Sequence, residues 1–442
     1  MNKIKYLLTV IAVCFYSNAF SKVFDAEEFY LDNNLRVVVV ENHKAPIVKM
    51  MLWYQVGSMD EKAGKSGLAH LLEHLMFRGT SRVPASSFNE MMLENGADFN
   101  AFTNQDFTVY HALVDVSRLE LVMALEADRM KNLKIDDNAF SGEQKIVYQE
   151  REERIENNPK SRFSEEAHQI LWQGTPYAHP VSGTLEEINA LTKKDAIDFY
   201  LRFYAPNNAV LVLSGDIDLN EAKILAQKYF GNIPSVNENN RKSLTFEMEN
   251  TGSYGISKKM ADIESSRASI SFVVPSVLEN KKAAYAMLVF SNYFGESGNS
   301  YLNKVLVQKN KVIQASSSAD VFSRGPGLFS VSALLLNNQN ISSDIQMLKK
   351  TIKEGMDSLT PNMLEKEKKK ILSWFVYVKD NPSDAAFIVG ELASLGLELD
   401  EIESYAQNIE AVTHKDIVDA VTHMLNSSKN ITALLTPAEE EK

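Results

Sequence analysis

Leu191-Thr-Lys-Lys-Asp-Ala-Ile-Asp198 returns as Val412-Thr-His-Lys-Asp-Ile-Val-Asp419, 221 positions further on. Each copy leads through a helix-forming run and an Asn-containing turn into an apolar strand, AVLVLSG over 209–215 and ITALLTP over 431–437. A second pair, Asn158-Pro159 and Asn381-Pro382, recurs at an offset of 223. One order of elements repeated at one spacing marks an internal duplication. The expected architecture is therefore two copies of one α+β unit, each of roughly 200 residues.

Working outward, the first half opens with strand-forming runs rich in β-branched and aromatic residues, LRVVVV over 35–40 and IVKMMLWYQV over 47–56. Helices are expected over Leu68–Met76, stopping near Gly79, and over Ser86–Asn95, stopping at Gly96. Asp98–Val114 alternates as a strand or hairpin. Val116–Asn132 and Asp137–Asn157 read as helices, two more fill Leu185–Phe203, and Val210–Leu213 is a short strand. The stretch 233–253 lacks apolar periodicity and is rich in Asn, Ser and Glu, so 236–253 is read as a linker.

Lys3 and Lys5 precede an apolar core, Tyr6–Tyr16, that is too short to span a bilayer comfortably. Small residues follow, in Ser17-Asn18-Ala19 or Ala19-Phe20-Ser21. This is the pattern of a secretory signal peptide over 1–21. Cys14, the one Cys of the chain, lies inside it. A thiolate-rich metal site or an internal disulfide framework is thereby excluded, and any metal must be held by His and carboxylates. A mature chain without Cys fits a bacterial periplasm, or secretion, better than a disulfide-rich setting. No later segment is apolar for long enough to cross a membrane. With 45% hydrophobic and 24% charged residues, a mainly disordered chain is excluded. The net charge of -12 argues against nucleic acid as the main partner.

The chemistry concentrates in His70-Leu-Leu-Glu-His74 on the first expected helix. At 3.6 residues per turn, His70 and His74 lie on one face a turn apart, and Glu73 borders that face. With 8 His in the chain, about 0.01 matches to H-x-x-E-H are expected by chance. Two imidazoles and a carboxylate suit zinc with one position left open. The third ligand must come from elsewhere. Glu143 and Glu150, seven apart on a charged helix, both qualify. Glu152, Glu153 and Glu156 read as a solvated face.

The inverted zinc motif, followed 76 positions after His74 by Glu150, resembles the pitrilysin/insulysin (M16) family of zinc metallopeptidases, in its half-length bacterial form similar to the mitochondrial processing peptidases. Gly67-Leu-Ala-His70, Phe77-Arg-Gly-Thr80, Gly96-Ala-Asp-Phe-Asn100-Ala101-Phe-Thr103, Tyr177-Ala-His-Pro180 and Tyr204-Ala-Pro-Asn-Asn208 are similar to further family segments. The resemblance covers about residues 23 to 438. It implies an α+β fold of two homologous halves, each a mostly antiparallel sheet packed with helices. The N-terminal catalytic zinc domain would span 22–235, and a C-terminal inactive homologous domain 254–442. It implies one zinc per chain, held by His70, His74 and Glu150. Glu73 would be the general base, Glu143 an accessory glutamate ordering the site, and Phe99, Asn100, Ala101, Phe102 and Thr103 the edge to which an extended peptide adds.

The expected activity is zinc-dependent endopeptidase action on unfolded peptides. The alternative within the same family is a peptide-binding or scaffold member without proteolysis. One departure matters. The resemblance expects an Arg and a Tyr in the second half that grip the substrate backbone, but Tyr301 and Gln314 stand in those positions. A homologous partner chain is therefore expected, as a heterodimer or homodimer, since half-length members close a chamber by pairing.

Overall fold

The structure is a computed structural model that describes residues 22–236, 252–336 and 341–438. Residues 1–21, read above as a signal segment, and 237–251, most of the expected linker, lie outside the described residues. The first half runs β1 (Glu27–Tyr30), β2 (Arg36–Glu41), β3 (Ile47–Tyr54), α1 (Leu68–Leu75), α2 (Ala85–Glu94), β4 (Asp98–Thr103), β5 (Thr108–Asp115), α3 (Leu119–Asn132), α4 (Asp137–Arg151), α5 (Pro159–Leu171), α6 (Leu185–Ala190), α7 (Lys193–Phe203), β6 (Ala209–Gly215) and α8 (Leu219–Phe230). The second runs β7 (Ser253–Met260), β8 (Arg267–Val274), α9 (Lys281–Phe294), β9 (Val312–Asp320), β10 (Gly327–Leu335), α10 (Ile341–Ser358), α11 (Pro361–Asp380), α12 (Pro382–Ser394), α13 (Leu399–Glu403), α14 (Tyr405–Ala411), α15 (His414–Ser427) and β11 (Asn430–Pro437).

The duplication is visible in the sheets. The first has the order β1-β2-β6-β3-β5-β4 and the second β7-β11-β8-β10-β9. Apart from β1 the two orders correspond strand for strand, and so do their directions. β2 with β6 and β7 with β11 are parallel pairs, and every other neighbour is antiparallel. The repeated octapeptide has one physical meaning in both halves. Thr192 caps α7 and Thr413 caps α15, each in a reciprocal pairing with the Asp three residues on, Asp195 or Asp416. Both helices then deliver the chain to a central strand, β6 or β11.

Strand alternation explains how the halves are joined. Met50, Leu52 and Tyr54 of β3 face the helices of their own half, while Met51 and Trp53 face the other way. Both faces are apolar, so both need cover. The second face is covered by α12, which crosses β6, β3 and β2 from the other half. Reciprocally, α5 of the first half lies across β11 and β7, with Phe163, Ala167 and Leu171 packed among Ile431, Ala433 and Leu435. The two Asn-Pro pairs start these exchanged helices. Asn158 accepts from the amides of Lys160 and Ser161, Asn381 accepts from that of Ser383, and each is followed by Pro in the first turn.

Two local readings shift. The helix expected over 137–157 ends as an α-helix at Arg151 and widens into a π-helical turn at Glu152–Glu156. The helix expected from Val116 begins at Leu119, after a 3-10 turn. The expected hairpin is β4–β5, and β4 is an edge strand of the first sheet.

Candidate active site

The face of α1 is chosen by burial. Leu68, Leu71, Leu72 and Leu75 are turned into the core, so His70, Glu73 and His74 emerge together on the opposite side. The helix start is held by a carboxylate from outside it. Glu61 accepts from the amide of Ala69 at 2.8 Å and from that of Gly67 at 3.2 Å. Gly67 itself has a φ of +86, and a Cβ there would lie 2.9 Å from the Gly183 Cα. Only glycine fits that conformation and that approach.

Helix α4 packs on α1 and brings its two glutamates to different places. Glu150 reaches both imidazoles, 3.8 Å from His70 Nε2 and 3.9 Å from His74 Nε2. One ligand atom from each of His70, His74 and Glu150 lies within 4.8 Å of the others. Glu143, almost wholly buried, instead takes His74 Nδ1 at 3.0 Å, and its other oxygen accepts from Arg78. With Glu143 on Nδ1, that nitrogen carries the proton and Nε2 presents its lone pair toward Glu150.

The electrostatics separate the two histidines. Burial, followed by the neighbouring His74 and Arg154, drives His70 down to about 3, so its ring is neutral. Burial also opposes charge on His74, but Glu143, Glu150 and Glu73 outweigh it and hold its pKa above the ordinary value. Burial raises Glu73, against the hydrogen bond from Thr103. His70 Nδ1 and Glu150 Oε2 are buried without hydrogen-bond partners among the described residues, although the Arg154 guanidinium lies 3.2 Å from that oxygen. The ring nitrogens that face Glu150 are the two Nε2 atoms, and two imidazole nitrogens converging with a carboxylate are a donor set that a cation would complete. Four-coordinate zinc at about 2.0–2.1 Å from each ligand sets its ligand atoms about 3.4 Å apart, so the two contacts of Glu150 with the imidazoles would close by roughly half an ångström. The residues present fit a zinc ion.

The edge β4 passes beside α1. Phe99 packs toward Phe77 and Phe88, and Phe102 stacks on Phe387 of α12 at 6.0 Å. The Ala101 amide is taken by the side chain of Asn100 at 2.9 Å. Thr103 Oγ1 lies 2.5 Å from Glu73 Oε2. All ten residues singled out in the sequence thus fall on α1, α4 and β4, with α4 packed on α1 and β4 passing beside it.

Sequence reasoning left out Glu61, and it passed over the partners of two site glutamates, Arg78 on Glu143 and Arg154 on Glu150. Arg154 could have been found as an i,i+4 partner, while Glu61 leaves no periodic signal. The other histidines stay apart: His111 meets Lys49 at 2.9 Å and His43 meets Asp216 at 2.7 Å. His168 and His414 are partly buried on the carbonyls of Tyr177 and Leu359. Among the described residues the second half holds no comparable cluster of three ligands.

Fold and site define a duplicated α+β chain with a candidate metal-binding cluster in its first half alone, among the described residues. The model of the insulinase family, peptidase family M16, matches residues 36–185, and that of the peptidase M16 inactive domain matches residues 190–371. The chain belongs to the M16 (pitrilysin/insulysin) family. It is similar to the zinc protease PqqE of Helicobacter pylori, 25% identical over 421 residues covering 93% of each chain. It is also similar to the mitochondrial-processing peptidase subunit beta of Lentinula edodes, 26% identical over 77% of this chain and 74% of that one. The crystal structure of a protease from Helicobacter pylori superposes with a TM-score of 0.85 at 25% identity, over 93% of this chain and 99% of that one.

Proposed function

We propose that this chain is a zinc-dependent endopeptidase that cleaves extended, unfolded peptides. The observation that carries the reading is the convergence of His70, His74 and Glu150 beside Glu73, with an edge strand running past. His70, His74 and Glu150 would hold one zinc per chain, and zinc there would supply a Lewis acid and acidify water. Glu73, not needed as a ligand, accepts the proton of the attacking water and returns it to the leaving amine nitrogen. Glu143, fixed by Arg78, keeps His74 in the tautomer and orientation a ligand needs. A peptide lying along Phe99–Thr103 gains main-chain hydrogen bonds with little regard for its side chains, which favours unfolded substrates.

The second half supports pairing. Tyr301 lies against Phe294 and Tyr293 at about 6 Å ring to ring, and Gln314 is exposed on β9. Neither supplies the Arg and Tyr that the family resemblance places there. A second copy of this chain would bring the same two residues, so the partner that completes the grip is a different homologous chain. The amino-terminal signal reading puts this work in the periplasm.

The test is hydrolysis of quenched, unfolded peptides by zinc-loaded protein that turns them over, alone or with a homologous partner, beside Glu73→Gln in the same setting. Loss in the variant with unchanged zinc content supports the assignment. Equal rates in both would remove Glu73 from the chemistry.

A further inference from the structure

The hydroxyl of Thr103 is committed inward. Its Oγ1 lies 2.5 Å from Glu73 Oε2 and 3.5 Å from Thr108 Oγ1. Thr108 cannot supply the proton for this arrangement, because it donates its own to the Val56 carbonyl at 2.9 Å. A hydroxyl has one proton, and an ionised carboxylate only accepts, so Thr103 donates to Glu73.

The donor is also rigidly placed. Thr103 is the last residue of β4 and pairs with Thr108 across the hairpin. The turn that follows is tied down on both sides. The Asn104 side chain accepts from the amides of Asp106 and Phe107, and the carbonyls of Asn104 and Gln105 accept from those of Ser58 and Met59.

We propose that the Thr103 hydroxyl positions Glu73 and does not donate to the peptide; this rests on the peptidase reading of Glu73. By occupying Oε2, Thr103 fixes the plane of the carboxylate and leaves Oε1 to take the proton of the attacking water. Because Thr103 terminates the edge strand, the element that seats the peptide is also the element that aims the base. A substrate carbonyl that needs a donor finds none on this hydroxyl, because its one proton is directed at Glu73.

The experiment compares Thr103→Val, which keeps shape and strand preference, with Thr103→Ser, which keeps the hydroxyl. For Thr103→Val, kcat should fall about 10- to 100-fold, the weight of one hydrogen bond to a charged group. KM should stay within about threefold, the zinc content should not change, and Thr103→Ser should recover most of the rate. A raised KM at unchanged kcat would make Thr103 a substrate contact. A serine variant as impaired as the valine one would reduce Thr103 to packing. Crystal structures of the wild type and Thr103→Val give a readout independent of turnover. A single Glu73 rotamer in the wild type that splits in Thr103→Val supports positioning, and an unchanged rotamer overturns it. A wild type that hydrolyses nothing, alone or paired, would instead count against the peptidase reading, and the two crystal structures would still decide the role of Thr103.

Discussion

Replacing Gly390 by Ala tests how the two halves are joined. Gly390 lies on α12 directly over the indole of Trp53, and a Cβ there would sit 2.1 Å from Nε1, 2.3 Å from Cε2 and 2.8 Å from Cζ2. Ordinary contact begins at about 3.5 Å, so the helix must lift by roughly 1.4 Å or the indole must turn. Neither yields easily. Trp53 is fully buried, with Phe102, Phe107 and Phe387 edge-on at 6.1, 4.9 and 5.6 Å. Overpacking of this kind costs about 3 kcal/mol at its upper end. Removing a helical glycine returns about 1 kcal/mol. Gly390→Ala should therefore be destabilised by about 2 kcal/mol in urea titration, with faster hydrogen exchange in β3 and β6. Trp53→Phe removes the clashing atoms, and Nε1 has no hydrogen bond to lose among the described residues. The double variant should then be more stable than additivity allows, by about 1 kcal/mol or more. A Gly390→Ala protein as stable as the wild type, or strict additivity with Trp53→Phe, would refute the packing of α12 on the first sheet.

Glu143→Gln should weaken zinc binding about 10- to 100-fold in a chelator competition while leaving the circular dichroism spectrum unchanged. Burial, followed by the carboxylates of Asp320 and Asp106, pushes Glu391 up to about 7, and burial followed by Asp106 pushes Asp320 up to about 6. The folded state then holds protons that the unfolded state has released, so stability falls as pH rises from the unfolded value of 4.5 toward 7. Thermal denaturation should show Glu391→Gln gaining on the wild type at pH 8 by up to about 3 kcal/mol, with no gain at pH 4. Thr192→Ala and Thr413→Ala should each cost about 1 kcal/mol and add independently, as equivalent caps in separate halves; a marked inequality would argue that the repeat does not carry equal weight.

The chain wrote some of this plainly. The repeated Thr-x-x-Asp segments are local capping devices, so their match across 221 positions reported equivalent helices before any contact was known. His70, Glu73 and His74 share a helix face by spacing alone, and Glu143 and Glu150 share another, so their helices could be read directly. What separated the two glutamates, one on the imidazole Nδ1 and one facing both Nε2 atoms, is set by how α4 lies on α1. That is tertiary packing, and spacing does not contain it. The same limit hid the exchange of α5 and α12. The Asn-Pro pairs were visible as a repeat, but nothing local says that each begins a helix covering the other half's sheet. Glu61 and the parallel pairing of β2 with β6 were equally silent, since both depend on partners distant in the chain.

The most direct test of the central claim measures zinc content and hydrolysis of a quenched, unfolded peptide library in one preparation. The wild type is set beside Glu73→Gln, first alone and then with any homologous chain that co-purifies with it. The account predicts one zinc per chain in both proteins, hydrolysis by the wild type that depends on the partner, and none by Glu73→Gln. One zinc bound with no hydrolysis in either setting would contradict it and leave a peptide-binding member of the family in its place.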